Sequence, residues 1–170
     1  MKKVLQGMLL FSFVLLIACK KDKTPVYDLT LTINGTAVLL HQATAYLGPD
    51  TLNAGHTELY LTAATYDSSK ALTISIRKND LTLSTGAYTS PGTGYTLLVE
   101  YYENIPGNIK NYSIANAPGK GTSQYTVNLT EVTASYIRGN FTGNYLTDTF
   151  SASNTTAEVP QGEFFALRVY

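Results

Sequence analysis

Hydrophobic and polar residues alternate with period two over most of this chain. Tyr27, Leu29, Leu31 and Ile33 interleave with Asp28, Thr30 and Thr32, which puts one set on each face of an extended strand. Asn34-Gly35 follows. Both residues accept positive φ, so the pair predicts a two-residue type I′ hairpin turn. With that turn Leu31 faces Val38 and Leu29 faces Leu40, and turn chemistry and hydrophobic pattern agree on one register. On the other face Asp28 sits opposite His41, which reads as a surface contact rather than a site.

The same pattern predicts the remaining strands. The returning strand runs through Tyr46 or Leu47 and ends at Gly48-Pro49-Asp50. Thr57 to Tyr66 and Ala71 to Lys78 alternate cleanly, separated by the turn residues Asp67-Ser68-Ser69. Leu81 to Tyr88 is a short extended piece crossed by Gly86. Tyr95 to Tyr102 is apolar on both faces and reads as a central strand, and Lys110 to Ala115 as an edge strand. Ser123 to Val132 alternates, and Tyr136 to Leu146 carries Gly139 and Gly143 on one face with Ile137 and Phe141. Glycines inside a strand mark a bend, a bulge or a close backbone approach. Asp148 to Gln161 is the longest polar connection, and Gly162 to Tyr170 closes the chain. About nine to eleven short strands with turn signals between them predict an all-β fold, an antiparallel two-sheet sandwich that is jelly-roll-like or a flattened barrel.

The first residues break the pattern. After Lys2-Lys3, Val4 to Ala18 is almost entirely apolar. Fifteen residues fall short of the about 20 that span a bilayer, and a charged head before a short apolar core matches a secretory signal. The run ends in Leu16-Ile17-Ala18-Cys19, which resembles the bacterial lipobox. The resemblance implies diacylglycerol transfer to the Cys19 thiol, cleavage between Ala18 and Cys19, and acylation of the new amine. It divides the chain into a signal peptide (1–18), a lipidated N-terminus and tether (19–26) and a single β-sandwich domain (27–170). One acyl chain holds a protein only marginally, but several hold it firmly, so chains of the palmitate kind on Cys19 make a permanent resident of the outer membrane. Lys21-Asp22 resembles the signal that directs lipoproteins of Bacteroidota-type bacteria to the cell surface, although Lys23 stands where a second acid belongs. The domain is expected on the periplasmic face or the cell surface.

Composition narrows the function classes. Removing eighteen of 170 residues leaves a mature chain of 152, enough for one domain. Without Lys2 and Lys3, ten basic side chains stand against twelve acidic ones, so no basic field exists to attract nucleic acid. Cys19 is the one cysteine. Once it is acylated no disulfide can form, and the core carries stability alone. Thirteen tyrosines and no tryptophan point to β structure with a Tyr- and Thr-covered surface.

The tail carries a second resemblance. Gly139-Asn140-Phe141-Thr142-Gly143 and Gly162-Glu163-Phe164 are similar to the Gly-x-Phe-Ser/Thr-Gly strand and the Gly-x-Phe closing strand of small uncharacterised all-β lipoproteins of Bacteroidota, with Tyr125 to Val132 as their Thr-rich upstream strand. The resemblance implies a β-sandwich lipoprotein and offers no catalytic residues.

Residues that carry chemistry are sparse. His41 lies mid-strand, and His56 sits in the polar loop Asp50 to Glu58. That loop offers at most three scattered ligands where zinc needs three or four well placed. A glycosidase-like carboxylate pair rests on Glu100 with Glu103, or on Asp67 with Asp80, if the fold sets them at catalytic separation. No dense Asp/Asn calcium loop is present, and no cofactor or metal site is expected. Asp50-Thr51-Leu52 resembles the O-glycosylation motif of exported Bacteroidota proteins. The Asn-x-Ser/Thr sequons at Asn34, Asn111, Asn128, Asn140 and Asn154 are products of composition. Tyr95, Tyr101 and Tyr102 are the weak binding candidates, because tyrosine offers rigid amphipathic area for sugar or peptide.

The leading expectation is therefore a membrane-anchored, non-catalytic binding or envelope-structural module that takes a protein or glycan partner. A carboxylate-based hydrolase is the second reading. A periplasmic immunity or inhibitor lipoprotein, inserting the Asp148 to Gln161 loop, is the third.

Overall fold

The computed structural model describes residues 25–50, 55–80, 82–114, 116–117, 121–149 and 155–170. Ala18, Cys19 and Thr51 lie outside the described residues. Every regular element among the described residues is a strand: β1 (Leu29–Ile33), β2 (Thr36–Pro49), β3 (Thr57–Ala64), β4 (Lys70–Lys78), β5 (Gly86–Ser90), β6 (Tyr95–Ile105), β7 (Asn108–Ser113), β8 (Asn116–Ala117), β9 (Gly121–Thr122), β10 (Tyr125–Val132), β11 (Tyr136–Gly143), β12 (Tyr145–Asp148), β13 (Thr156–Glu158) and β14 (Gln161–Val169). The all-β antiparallel expectation holds. Twelve strands form one sheet in the order β13-β12-β7-β6-β4-β3-β2-β1-β14-β11-β10-β5, and β8 pairs with β9 apart from it. The twelve strands are hydrogen-bonded in one sheet that curls into a half-barrel, in keeping with the flattened-barrel form of the expected sandwich.

The hairpin forms as its sequence requires. Asn34 and Gly35 take φ of 47° and 78°, and Leu29 pairs with Leu40 and Leu31 with Val38. The turn is also held from outside. The Asn34 amide donates to the Glu158 carbonyl at 2.9 Å, and Asn34 Oδ1 accepts the Glu158 amide at 2.8 Å.

β2 explains why one sheet suffices. Its first part pairs with β1, its later part with β3, and the register slips between His41 and Thr44, where Gln42 takes a φ of 53°. Such a bulge bends a strand and strengthens its twist. Leu40 before the slip and Ala43 and Ala45 after it are all buried, so the bulge keeps both parts facing one core. Just before Leu29 the chain still bridges its neighbours, with the Tyr27 carbonyl accepting the Ala43 amide and the Asp28 carbonyl the Phe165 amide; past that point β14 lies beside β2 as its one parallel neighbour, with Leu167 opposite Thr44 and Val169 opposite Tyr46.

A second device sits in β10, β11 and β14. Tyr125 lies opposite Gly143, Phe141 opposite Gly162 and Phe164 opposite Gly139, and all three rings are buried. A Cβ at any of these glycines would run into the facing ring, and at Gly162 it would also stand 2.7 Å from the Thr30 carbonyl. Aromatic rings laid over bare backbone let a curled sheet close its inner face without a void. The Gly-x-Phe-Thr-Gly pattern is thus a packing requirement.

Three details differ from the sequence reading. The segment expected as an edge strand, β7, pairs with β6 along its length and with β12 through Tyr112 and Ser113. The long polar connection contains β13, held by buried Ala157 and followed by buried Val159. The segment after Lys78 becomes regular only at Gly86.

Candidate functional site

The three tyrosines singled out by sequence do not share a surface. Tyr101 is wholly buried and stacks on Tyr112 with ring centroids 5.9 Å apart, and burial pushes its hydroxyl pKa up. Tyr95 is half-buried and meets Tyr88 edge-on at 5.2 Å. Its hydroxyl accepts the Thr89 amide at 2.7 Å. Thr89 belongs to the sheet's last strand, so Tyr95 covers an edge amide that would otherwise be open to pairing with another chain. Tyr102 projects to the opposite face from Tyr101.

Among the acids, Glu100 and Glu103 point to opposite faces of β6 by their odd spacing, and Glu103 lies 3.5 Å from Lys70. Asp67 and Asp80 flank opposite ends of β4. Asp67 accepts hydrogen bonds from the Thr65 hydroxyl at 2.6 Å and from the Ser69 amide and hydroxyl at 3.0 and 2.8 Å. These hold its carboxyl down at about 2. Lys78, 2.7 Å away, holds Asp80 below the usual range as well.

His41 Nδ1 lies 3.3 Å from Asp28 Oδ1, on the face the hairpin register assigned. The exposed Tyr66 ring stacks on the imidazole at 4.0 Å. The His56 carbonyl accepts the Asp50 amide at 2.9 Å. Among the described residues no group of three His, Cys, Asp or Glu side chains is placed to hold a metal ion. Arg77 gathers two carboxylates, with Nε 2.9 Å from Glu58 and 3.9 Å from buried Asp50. Ser75 donates to Glu58 at 3.0 Å. Glu58 and Arg77 are direct cross-strand partners on β3 and β4, and Asp50 joins them from just past the end of β2.

One concavity was not predicted. On the outer face of β2, β1, β14 and β11 lie two depressions of about 510 and 470 Å³. They share Thr30, Asn140 and Glu163 and so form one trough. The strand order makes its floor: Thr30 opposes Glu163, and Glu163 opposes Asn140. One wall carries Leu39, the other Phe165 and Arg138. The Arg138 guanidinium lies 4.1 Å from the centre of the Phe165 ring, which also meets Tyr27 at 4.7 Å and Tyr136 at 5.1 Å. Among the described residues, no side-chain hydrogen bond or ion pair engages Thr30, Asn140 or Glu163. A carboxylate, an amide and a hydroxyl in one row offer acceptors and donors to a polar ligand, and the Arg138–Phe165 wall adds a cation over an aromatic.

Comparison with protein-family models, with curated proteins and with solved structures finds no match for this chain.

Proposed function

We propose that this protein is an exported lipoprotein, held at the outer membrane through acylated Cys19, that serves as a non-catalytic binding module for a protein or glycan partner. The anchor reading rests on Leu16-Ile17-Ala18-Cys19 at the end of a short apolar run. The observation that carries the binding reading is the trough floored by Thr30, Glu163 and Asn140, whose side-chain polar groups have no partner among the described residues. These three residues sit on hydrogen-bonded strands, not on loops, so their backbone positions are fixed before any ligand arrives.

The test is site-specific photocrosslinking in intact cells, with the reactive group placed at Thr142 on the trough's rim. The expected result is a discrete adduct that disappears when Glu163→Lys or Asn140→Arg fills the floor. Absence of any adduct at position 142, or an adduct indifferent to both changes, contradicts the trough as the binding surface. Acyl labelling checks the anchor separately: it is present on the wild type and lost in Cys19→Ala.

A further inference from the structure

We infer that the outer face of β3, the later part of β2 and the end of β14 is the surface on which the domain rests against its own membrane, with the lipid–water interface as its occupant. The inference rests on the anchor reading of Cys19 and adds to it an orientation.

Nine large hydrophobic side chains are exposed among the described residues, and five of them lie together here: Val26 (70%), Tyr66 (78%), Tyr60 (45%), Leu167 (38%) and Val169 (39%). The register shows their adjacency. Val169 is opposite Tyr46, which is opposite Tyr60. Leu167 is opposite Thr44, which is opposite Thr62. A depression of about 250 Å³ at the β2 bulge joins Val26, Tyr66 and Leu167. None of the six positions in those two rows carries a charge, and the charges at the patch's borders are paired: Asp28, which lines the depression, with His41, and Glu58, two residues before Tyr60, with Arg77. Contiguous apolar surface of this kind marks an interaction site.

The occupant follows from where the chain emerges. Val26 is part of the patch and lies only seven residues after Cys19. Seven residues reach at most about 25 Å when fully extended, so an acylated Cys19 holds Val26, which lies between this depression and the near end of the trough, within that distance of the bilayer. The side chains suit that position. Tyrosine rings settle at the headgroup level with the hydroxyl toward water, and Val26, Leu167 and Val169 supply apolar area beneath them. Lys20, Lys21 and Lys23 of the tether can add a salt-dependent attraction to anionic lipid, but the rows of the patch hold no lysine or arginine, so the insertion of its own side chains depends on apolar burial and is insensitive to salt.

The absence of tryptophan makes the test direct, because one introduced tryptophan is the only indole present. Full-length lipoprotein is reconstituted into phosphatidylethanolamine–phosphatidylglycerol vesicles with brominated acyl chains. Three single variants are compared: Tyr66→Trp, Tyr60→Trp, and Thr93→Trp as reference. Thr93 lies in the link between β5 and β6, three strands from β2 in one direction and five in the other. The expected result is quenching of the indole emission by about twofold in the Tyr66→Trp and Tyr60→Trp variants, unchanged in high salt, with the reference unquenched. Equal quenching of all three, or none at positions 66 and 60, overturns the orientation. A blue shift at position 66 without bromine quenching assigns the face to a protein partner or a second copy and likewise overturns it. Flotation of the vesicles scores the anchor independently: protein that floats but shows no selective quenching defeats only the orientation, and protein that does not float defeats the anchor reading itself.

Discussion

Phe141 on β11 lies directly over Gly162 on β14, ring against bare backbone, in a place where a Cβ would strike both the ring and the Thr30 carbonyl. This pair and its two counterparts, Tyr125 over Gly143 and Phe164 over Gly139, fix how β10, β11 and β14 curl. Gly162→Ala overpacks the site and should cost about 1–3 kcal/mol. Phe141→Ala should cost about 3–5 kcal/mol through the cavity it leaves. Because the two residues touch, their effects should not add. Urea unfolding of the four-member cycle should show Gly162→Ala costing less when Phe141 is already alanine.

The hairpin clasp gives a separate prediction. Gly35 needs its positive φ of 78°, and Gly35→Ala should cost about 1 kcal/mol for a left-handed backbone carrying a Cβ. Asn34→Ala adds loss of the acceptor for the Glu158 amide, worth about 1 kcal/mol more. Thermal unfolding of both variants checks the order, with Asn34→Ala the lower.

Thr147 offers a change in the opposite direction. It is buried, and its Oγ1 has no hydrogen-bond partner among the described residues. Thr147→Val replaces a stranded hydroxyl with a methyl of the same shape, so stability should be unchanged or raised by up to about 1 kcal/mol. A fall of the urea midpoint would show that the hydroxyl is engaged.

Asp67 should make the β3–β4 turn sensitive to acid. Its carboxyl is lowered from 3.8 to about 2 by the Thr65 and Ser69 hydrogen bonds. A carboxyl depressed in the folded state contributes stability that is full above its unfolded value and is lost as pH falls through the folded one. The gap in melting temperature between wild type and Asp67→Asn should therefore hold from pH 7 to about 5 and close between about pH 4 and 2. The residue is exposed and solvent screening is strong, so the gap should be small. A gap that persists below pH 2 contradicts the assignment.

What the sequence revealed tracks how local the determining interactions are. Asn34-Gly35 fixes a turn and, through it, every pair from Leu29–Leu40 to Ile33–Thr36. Glu58 and Arg77 also stand on adjacent alternating strands, but the Asp67-Ser68-Ser69 turn did not set their register as Asn34-Gly35 does, and the pair was not read. The β2 bulge left only a faint trace: buried positions switch from even-numbered Leu40 to odd-numbered Ala43 and Ala45, and alanine is a weak hydrophobic signal. β13 is a three-residue strand in a polar stretch, so period two had too few positions to register. The trough was beyond reach because Thr30, Asn140 and Glu163 meet only through the order β1-β14-β11, which joins strands more than 100 residues apart. The tyrosine surplus was visible, but which tyrosines face outward was not. Tyr101 entered the core, while Tyr60 and Tyr66 stayed exposed.

The measurement that tests the account most directly is intact-mass and N-terminal analysis of the protein extracted from its own membranes. A lipid anchor at Cys19 predicts a chain that begins at Cys19, lacks residues 1–18 and carries a diacylglycerol on the thiol with an acyl group on the amine. A chain that retains Met1, or one that begins at an unmodified residue and extracts without detergent, contradicts it.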